Sequence, residues 1–533
     1  MERYDAIIIG AGVTGMYALH RFRKLGLSVR VFEAGDGVGG TWYWNRYPGA
    51  RFDSESWTYG YSFDDEILQE WDWKEHFSAQ PETLRYCNFV ADKLDLRRDI
   101  TFNTRVDSCI WNETEACWEI KTDTGVVACA QFLVTAVGPL SAYTMPNIPG
   151  IDTFQGEAYH TARWPQEPVT FEGKRVAVIG TGATGVQAIT EIAKTAKTLT
   201  VFQRTPNFCA PLRNAEITPE EQARIKSSYP EIFAICKESW GGFIHSAEPR
   251  NAIEVSAEER EAFFEKKYAE PGFAKWMGLY RDLMILPQAN AYITDFMSRK
   301  IRGRVNDPLL AEKLIPKNHG FGMRRVPLES GYYEVYNQDN VRLVDVNETP
   351  IECITPTGIK TCDTNIEFDL IVYATGFDAI TGAFDRIDIR GVDGVALRDV
   401  WADGPHTMLG LMVVGFPNMM TLIGPHNAAL FCNIPRCSEQ NVDWVAEVID
   451  YMHEHGKRTI QPTVEAQEAW TEHVYETGRY LLLTQVDSWM TGINKNVTTR
   501  TKRMFMAYAG GAPNYRQRCE EIAASSYEGF ELN

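Results

Sequence analysis

Two strand–turn–helix–strand units lie 170 positions apart, at Gly10 and Gly180, and a charged helical stretch follows the second. Together they predict an α/β fold of two Rossmann-like dinucleotide-binding domains, with a helical insertion in the second. In the first unit, residues 6–9 form the short apolar run that a strand buried on both faces requires. Gly10-Ala-Gly12-Val-Thr-Gly15 makes the turn, a helix is expected over 16–25, and a strand over 29–32 ends on Glu33. The second unit runs through a strand at 175–179, the turn Gly180-Thr-Gly182-Ala-Thr184-Gly185, a helix at 186–196 and a strand at 199–202. Residues 218–315 are charged, aromatic-rich and helical in pattern. Strand-like sequence returns at 341–345 and 369–373, and the latter runs into Ala374-Thr-Gly376. A similar strand ends at Gly138. The expected organisation is therefore 1–139 and 377–533 as two parts of one domain, with 140–376 as the other.

Bulk properties narrow the function. A chain of 533 residues exceeds one ordinary core, and 44% hydrophobic with 23% charged residues is a globular composition. The formal charge of −18 argues against nucleic acid as a partner. Eleven cysteines without a Cys-x-x-Cys fit reduced thiols in a cytosol, and Cys432 and Cys437 are expected to be packing residues. Met1-Glu-Arg leads directly into the first strand, and the apolar stretch 408–416 is far shorter than the roughly 20 residues a bilayer needs. A cytoplasmic location without membrane, metal or obligate protein partner is expected. The oligomeric state is open, and a monomer is compatible.

The glycine clusters have a physical task. Gly10 and Gly180 make the turns, Gly12 and Gly182 let backbone approach a pyrophosphate, and Gly15 and Gly185 let helix pack on strand. The phosphates then meet the free N–H groups and positive end of a helix. Glu33 suits ribose hydroxyls and repels a 2′-phosphate, whereas Gln203-Arg204-Thr205 in the second unit suits one. FAD plus NADPH follows. A disulfide reductase would need a redox cysteine pair near the first turn, and the first cysteine is Cys87. No ferredoxin-like or haem-binding cysteine motif supports an electron-transfer partner protein. Reaction of reduced flavin with O₂ is left.

Two further segments carry a resemblance. Phe154-Gln-Gly156-Glu-Ala-Tyr-His160-Thr-Ala-Arg-Trp164-Pro resembles the FxGxxxHxxxW fingerprint of type I Baeyer–Villiger monooxygenases. Gly40-Thr41-Trp42-Tyr-Trp44-Asn-Arg-Tyr47-Pro-Gly-Ala-Arg-Phe-Asp53 resembles that family's GxWxxxx(Y/F)PGxxxD segment. The chain is most similar to the phenylacetone and cyclohexanone monooxygenase branches, from about residue 5 to residue 530. The resemblance implies NADPH- and O₂-dependent conversion of ketones to esters or lactones through a C4a-peroxyflavin. The alternative is an N- or S-oxidising flavin-containing monooxygenase.

By the same resemblance, Arg325 matches the active-site arginine and Asp53 the acid beside it, while Arg324 stands where a lysine often contacts the NADP 2′-phosphate. Gly40, Thr41, Trp42, Trp44, Asp53 and Tyr59 fall on the FAD side of the site, and Trp489 with Gly492 in a loop that would cover nicotinamide and substrate. His160 is expected at an interdomain hinge rather than in the chemical step. Leu140, Leu430, Phe431 and Met506 are candidate walls of the substrate pocket. Each has a plainer reading as well: His160 as a capped loop histidine, Trp164 as a packing residue, Asp53 as a turn former, the arginines as solvated charges.

Overall fold

The first sheet is built around β1 (Glu2–Ile9), which lies parallel to both β2 (Val29–Phe32) and β6 (Val127–Thr135). The computed structural model describes residues 2–497 and 502–533, without the side chains of residues 429 and 430. β2 pairs in parallel with β3 (Ile100–Thr101), and β4 (Val106–Asn112) and β5 (Cys117–Thr122) run as an antiparallel meander into β6. Two late strands return to this sheet: Asp388–Arg390 pairs with β4, and Met419–Thr421 pairs with β6. The chain therefore leaves the sheet after β6 and comes back more than 200 residues later.

The intervening segment forms a second, wholly parallel sheet. Its order is Val341–Asp345, β9 (Thr198–Gln203), β8 (Arg175–Ile179), Leu370–Tyr373, β7 (Glu157–His160). Strands buried on both faces explain the uninterrupted apolar sequence of β8 and Leu370–Tyr373. Helices fill the expected insertion, and their starts are encoded locally. Thr218, Ser256 and Asp307 cap Pro219–Ser227, Ala257–Ala269 and Pro308–Leu314 by accepting backbone N–H groups. Proline stands in the first turn of the first and third of these, where no N–H is needed.

The helix after the first turn is Val13–Lys24, starting earlier than its apolar pattern suggests, so Gly15 lies inside the first helical turn. That start is what presents free N–H groups beside Gly12. β1 likewise extends N-terminally of its apolar run, because its pairing with β6 continues where side chains are exposed.

One expectation is corrected. Cys432 and Cys437 are not free packing residues but form a disulfide with Cα atoms 6.2 Å apart. A half-turn lead into the helix Ile434–Glu454 brings the sulfurs together across five positions, a proximity invisible without that helix start. Thiol titration of the denatured chain is expected to find nine reactive thiols before reduction and eleven after it. Eleven before reduction would remove the bridge.

Candidate active site

Both glycine turns are close-packed against a carbonyl of a neighbouring connection. Gly10 has φ +102°, and a Cβ there would lie 2.7 Å from the Ala136 oxygen; Gly180 has φ +110°, and its Cβ would lie 2.4 Å from the Ala374 oxygen. No side chain fits either place. Gly12 and Gly40 face each other, and a Cβ on Gly40 would stand 2.8 Å from Gly12 Cα. The loop carrying Thr41, Trp42 and Trp44 is thereby held over the first helix N-terminus. A Cβ on Gly182 would meet nothing within 4 Å, so the second turn opens onto free space at the start of the helix Ala183–Ile192, where Thr184 stands.

A continuous cavity of about 1160 Å³ joins the two turns. Gly10, Gly12, Glu33, Gly40, Thr41, Trp42, Trp44, Asp53 and Tyr59 line its first half; Gly180, Gly182, Thr184, Arg204, Thr205 and Arg324 line its second. Gly15 and Gly185 are absent from the lining. Each packs its helix against its own turn, with Cβ positions 1.9 and 2.3 Å from the Gly10 and Gly180 oxygens.

Glu33 is buried and accepts the Ala11 and Gly35 backbone N–H groups at 2.7 and 2.8 Å, one on each oxygen. Each oxygen keeps a further lone pair, enough for a ribose diol. Burial raises its pKa, and those N–H donors pull it back. At the other turn, Arg204 has no carboxylate within salt-bridge distance among the described residues, and the Arg324 Nε has no hydrogen-bond partner. Burial lowers the Arg324 pKa, with Asp487 and Arg204 acting on it in opposite directions. Two cations without a salt bridge among the described residues fit a 2′-phosphate. Trp42, Phe52 and Tyr59 form a ring cluster beside Asp53: Trp42 Nε1 donates to the Tyr59 hydroxyl at 3.0 Å, and Phe52 stacks on Tyr59 at 4.3 Å. Flat walls of this kind suit an isoalloxazine.

Asp53 and Arg325 meet between these halves. Arg325 Nη1 lies 2.6 Å from Asp53 Oδ2, which also accepts the Leu328 backbone N–H at 3.1 Å. The Asp53 carboxylate is fully buried, and its Oδ1 has no partner. The Arg325 side chain is 31% exposed and lines the cavity. Arg324 sits at a bend and Arg325 in the irregular stretch after it, and both line the cavity.

The fingerprint lies where the two interdomain connections run side by side. Tyr143 bridges to Phe377, and the Thr144 N–H donates to the Gly376 oxygen at 2.9 Å. The His160 ring lies 4.8 Å from Tyr143 and 6.4 Å from Phe377, its Nδ1 accepts the Ala162 N–H, and its Nε2 has no partner. Phe154 packs under the second sheet, Gly156 has no room for a Cβ beside Phe154 and Asp369, and Trp164 packs against Tyr159 and Phe171.

Trp489 lines the cavity from the 3-10 helix Trp489–Thr491, which ends on Gly492 at φ +69°. Leu140 and Phe431 line it too. Met506 does not. Its backbone pairs with Met490 and His426, and its side chain is buried with Ala379 and Ile380 behind Trp489. The Leu430 side chain lies outside the described residues. Sequence reasoning missed Phe243, Phe273, Trp276 and Met277, which the insertion contributes to the wall near Arg325. Its aromatic richness was visible, but not which rings face inward.

The family described as pyridine nucleotide-disulphide oxidoreductase matches residues 7–264. The 2-oxo-Delta(3)-4,5,5-trimethylcyclopentenylacetyl-CoA monooxygenase of Pseudomonas putida is 48% identical over 534 residues, covering 99% of this chain and 98% of its own. A Baeyer–Villiger monooxygenase of Pseudooceanicola batsensis is 43% identical over 532 residues, 98% of this chain and 95% of its own. The crystal structure of OTEMO in complex with FAD and NADP superposes with a TM-score of 0.96 at 48% identity, covering 99% of each chain. The chain belongs to the Baeyer–Villiger monooxygenases. As a member of that family it is an FAD enzyme drawing electrons from NADPH, in agreement with the chemistry of its two turns. Among the described residues, no helix is long and apolar enough to cross a membrane.

Two outcomes are expected at this site. Arg204→Ala should weaken NADP⁺ binding by about 10- to 100-fold, the worth of one charged contact, while leaving the weaker NAD⁺ affinity in place; equal losses for both nucleotides would exclude the 2′-phosphate role. Burial lowers the His160 pKa to about 4, below its ordinary value of about 6.5. The unfolded chain therefore binds the proton first, and this residue costs stability as the pH falls from about 6.5 towards 4, by up to roughly 3 kcal/mol. His160→Gln should flatten that part of the pH–stability curve, measured by urea unfolding.

Proposed function

We propose that this enzyme oxidises apolar ketones to esters or lactones at the cavity beside Arg325, with residues 1–139 and 377–533 holding FAD and 140–376 holding NADPH. The observation that carries the reading is a half-buried arginine facing the cavity while tied to a fully buried carboxylate. Bound FAD, once reduced by NADPH, supplies the two-electron activation of O₂. Arg325 provides fixed positive charge for anionic oxygen in a water-poor cavity, where an unpaired anion would be costly. Asp53 orients that guanidinium through Nη1 and leaves its other N–H groups available. The N–H groups at the two helix starts take the pyrophosphates, Glu33 the FAD ribose, and Arg204, Thr205 and Arg324 the NADP 2′-phosphate.

Trp489 closes the cavity over the nicotinamide and substrate, and Leu140, Phe431, Phe243 and Phe273 give it an apolar wall suited to a hydrocarbon-rich ketone. His160, packed against both crossing connections, serves the movement between the two sheets rather than the oxygen chemistry. The N- or S-oxidising alternative has less support, because nucleophilic attack on a carbonyl is the reaction that requires the Arg325 cation. The acidic surface disfavours nucleic acid as a partner, and a small-molecule ketone is the substrate that the cavity suits.

The decisive variant is Arg325→Ala. It is expected to bind FAD and be reduced by NADPH in stopped flow, yet to form ester at least about 100-fold more slowly than the parent. Undiminished ester yield, scored by product rather than by NADPH loss, would remove the arginine from the reaction.

A further inference from the structure

Arg163 lies inside the fingerprint segment, between His160 and Trp164, and shares Tyr143 with His160 as a ring partner. Its Cζ stands 4.3 Å from the ring centroid of Trp44, on the loop held over the FAD-side turn, and 5.0 Å from that of Tyr143, on the interdomain connection. Its one hydrogen bond among the described residues is Nη1 to the Ala162 oxygen at 2.8 Å, and no carboxylate lies within salt-bridge distance. Burial lowers its pKa, Arg105 and Arg386 add to this as like charges, and Tyr143 and the more distant Glu33 act the other way. Ring faces, rather than a salt-bridged carboxylate, hold this half-buried guanidinium.

The same contact has a second strand. Gln166 Nε2 donates to the Tyr43 hydroxyl at 3.1 Å, and that hydroxyl donates to Asp36 Oδ1 at 2.5 Å. The segment after His160 thus rests on Tyr43 and Trp44 together, while Gly40 at the head of that loop abuts Gly12. Tyr143 is the other end of the linkage: it meets His160 at 4.8 Å, Arg386 at 5.3 Å, and Phe377 through the backbone bridge.

We propose that Arg163 is a positioning residue, which sets the Trp44 loop, and with it the FAD cradle, against the interdomain crossing at Tyr143. The link to domain movement rests on the hinge reading of that crossing; the hold on the loop does not. A fixed cation suits the task because it lies over two ring faces at once and keeps its charge at every working pH. Arg163 and Trp44 both line the cavity, and through their contact a shift of the second sheet on binding NADP⁺ reaches the flavin surroundings.

The test uses the FAD-loaded enzyme and no ketone. Arg163→Met keeps the length and removes the cation. It should release FAD about tenfold faster on dilution, read by flavin fluorescence, and show a diminished NADP⁺-induced change in the flavin absorbance spectrum. Arg163→Lys should restore most of both. Should Arg163→Met fold poorly, Tyr143→Leu removes the other ring and is expected to reduce the NADP⁺ response. Parental FAD release and NADP⁺ response in Arg163→Met would overturn the proposal, as would Arg163→Lys failing as badly as the methionine variant. Faster FAD release in Arg163→Met with an intact NADP⁺ response in Tyr143→Leu would uphold the hold on the loop and sink the hinge reading.

Discussion

The Asp53–Arg325 pair is the constraint that the rest of the site obeys. The Asp53 carboxylate has no exposure, and removing one partner of such a buried pair costs several kcal/mol. Asp53 comes from the first part of the chain and Arg325 from beyond the helical insertion, so the pair can form only when both sheets and the insertion are in place. The Leu328 N–H fixes the same oxygen, which ties the arginine segment to the acid by its backbone as well. Charge placed in this way is available to oxygen chemistry without any rearrangement at the moment it is needed.

Around that pair, one backbone solution is used twice and made specific by a single side chain each time. Both turns press a glycine against the carbonyl of a crossing connection, Ala136 in one case and Ala374 in the other. Those connections are the two strands of chain that join the sheets. The nucleotide turns and the interdomain crossing are therefore the same piece of architecture, and a change in domain position is felt where phosphates lie. Where the first turn is faced by Glu33, the second is faced by Arg204, and that exchange of charge is the chemical difference between them.

Much of this was legible in the sequence for a reason that can be stated. Local signals, such as glycines between a strand and a helix, depend on neighbours in the chain, and the structure follows them closely. Arg325, Asp53 and the fingerprint were readable only through resemblance, because nothing within a few residues of either charge reveals its distant partner. The misses share that cause. Met506 and the Cys432–Cys437 bridge are decided by which way a loop turns, and Phe243 and Phe273 by which face of an irregular segment packs inward. Period and composition do not encode such turns.

The guanidiniums left without carboxylates have a consequence for how the nucleotide arrives. The molecule as a whole carries −18, so its distant field pushes a phosphorylated visitor away. At physiological salt that repulsion fades within about 8 Å, and only a charge met at close quarters still counts. Arg204 and Arg324 are such charges for whatever reaches the cleft. Polyanions at large are turned back by the surface, whereas a dinucleotide that has already found the entrance is drawn in, making admission a matter of address rather than of general attraction.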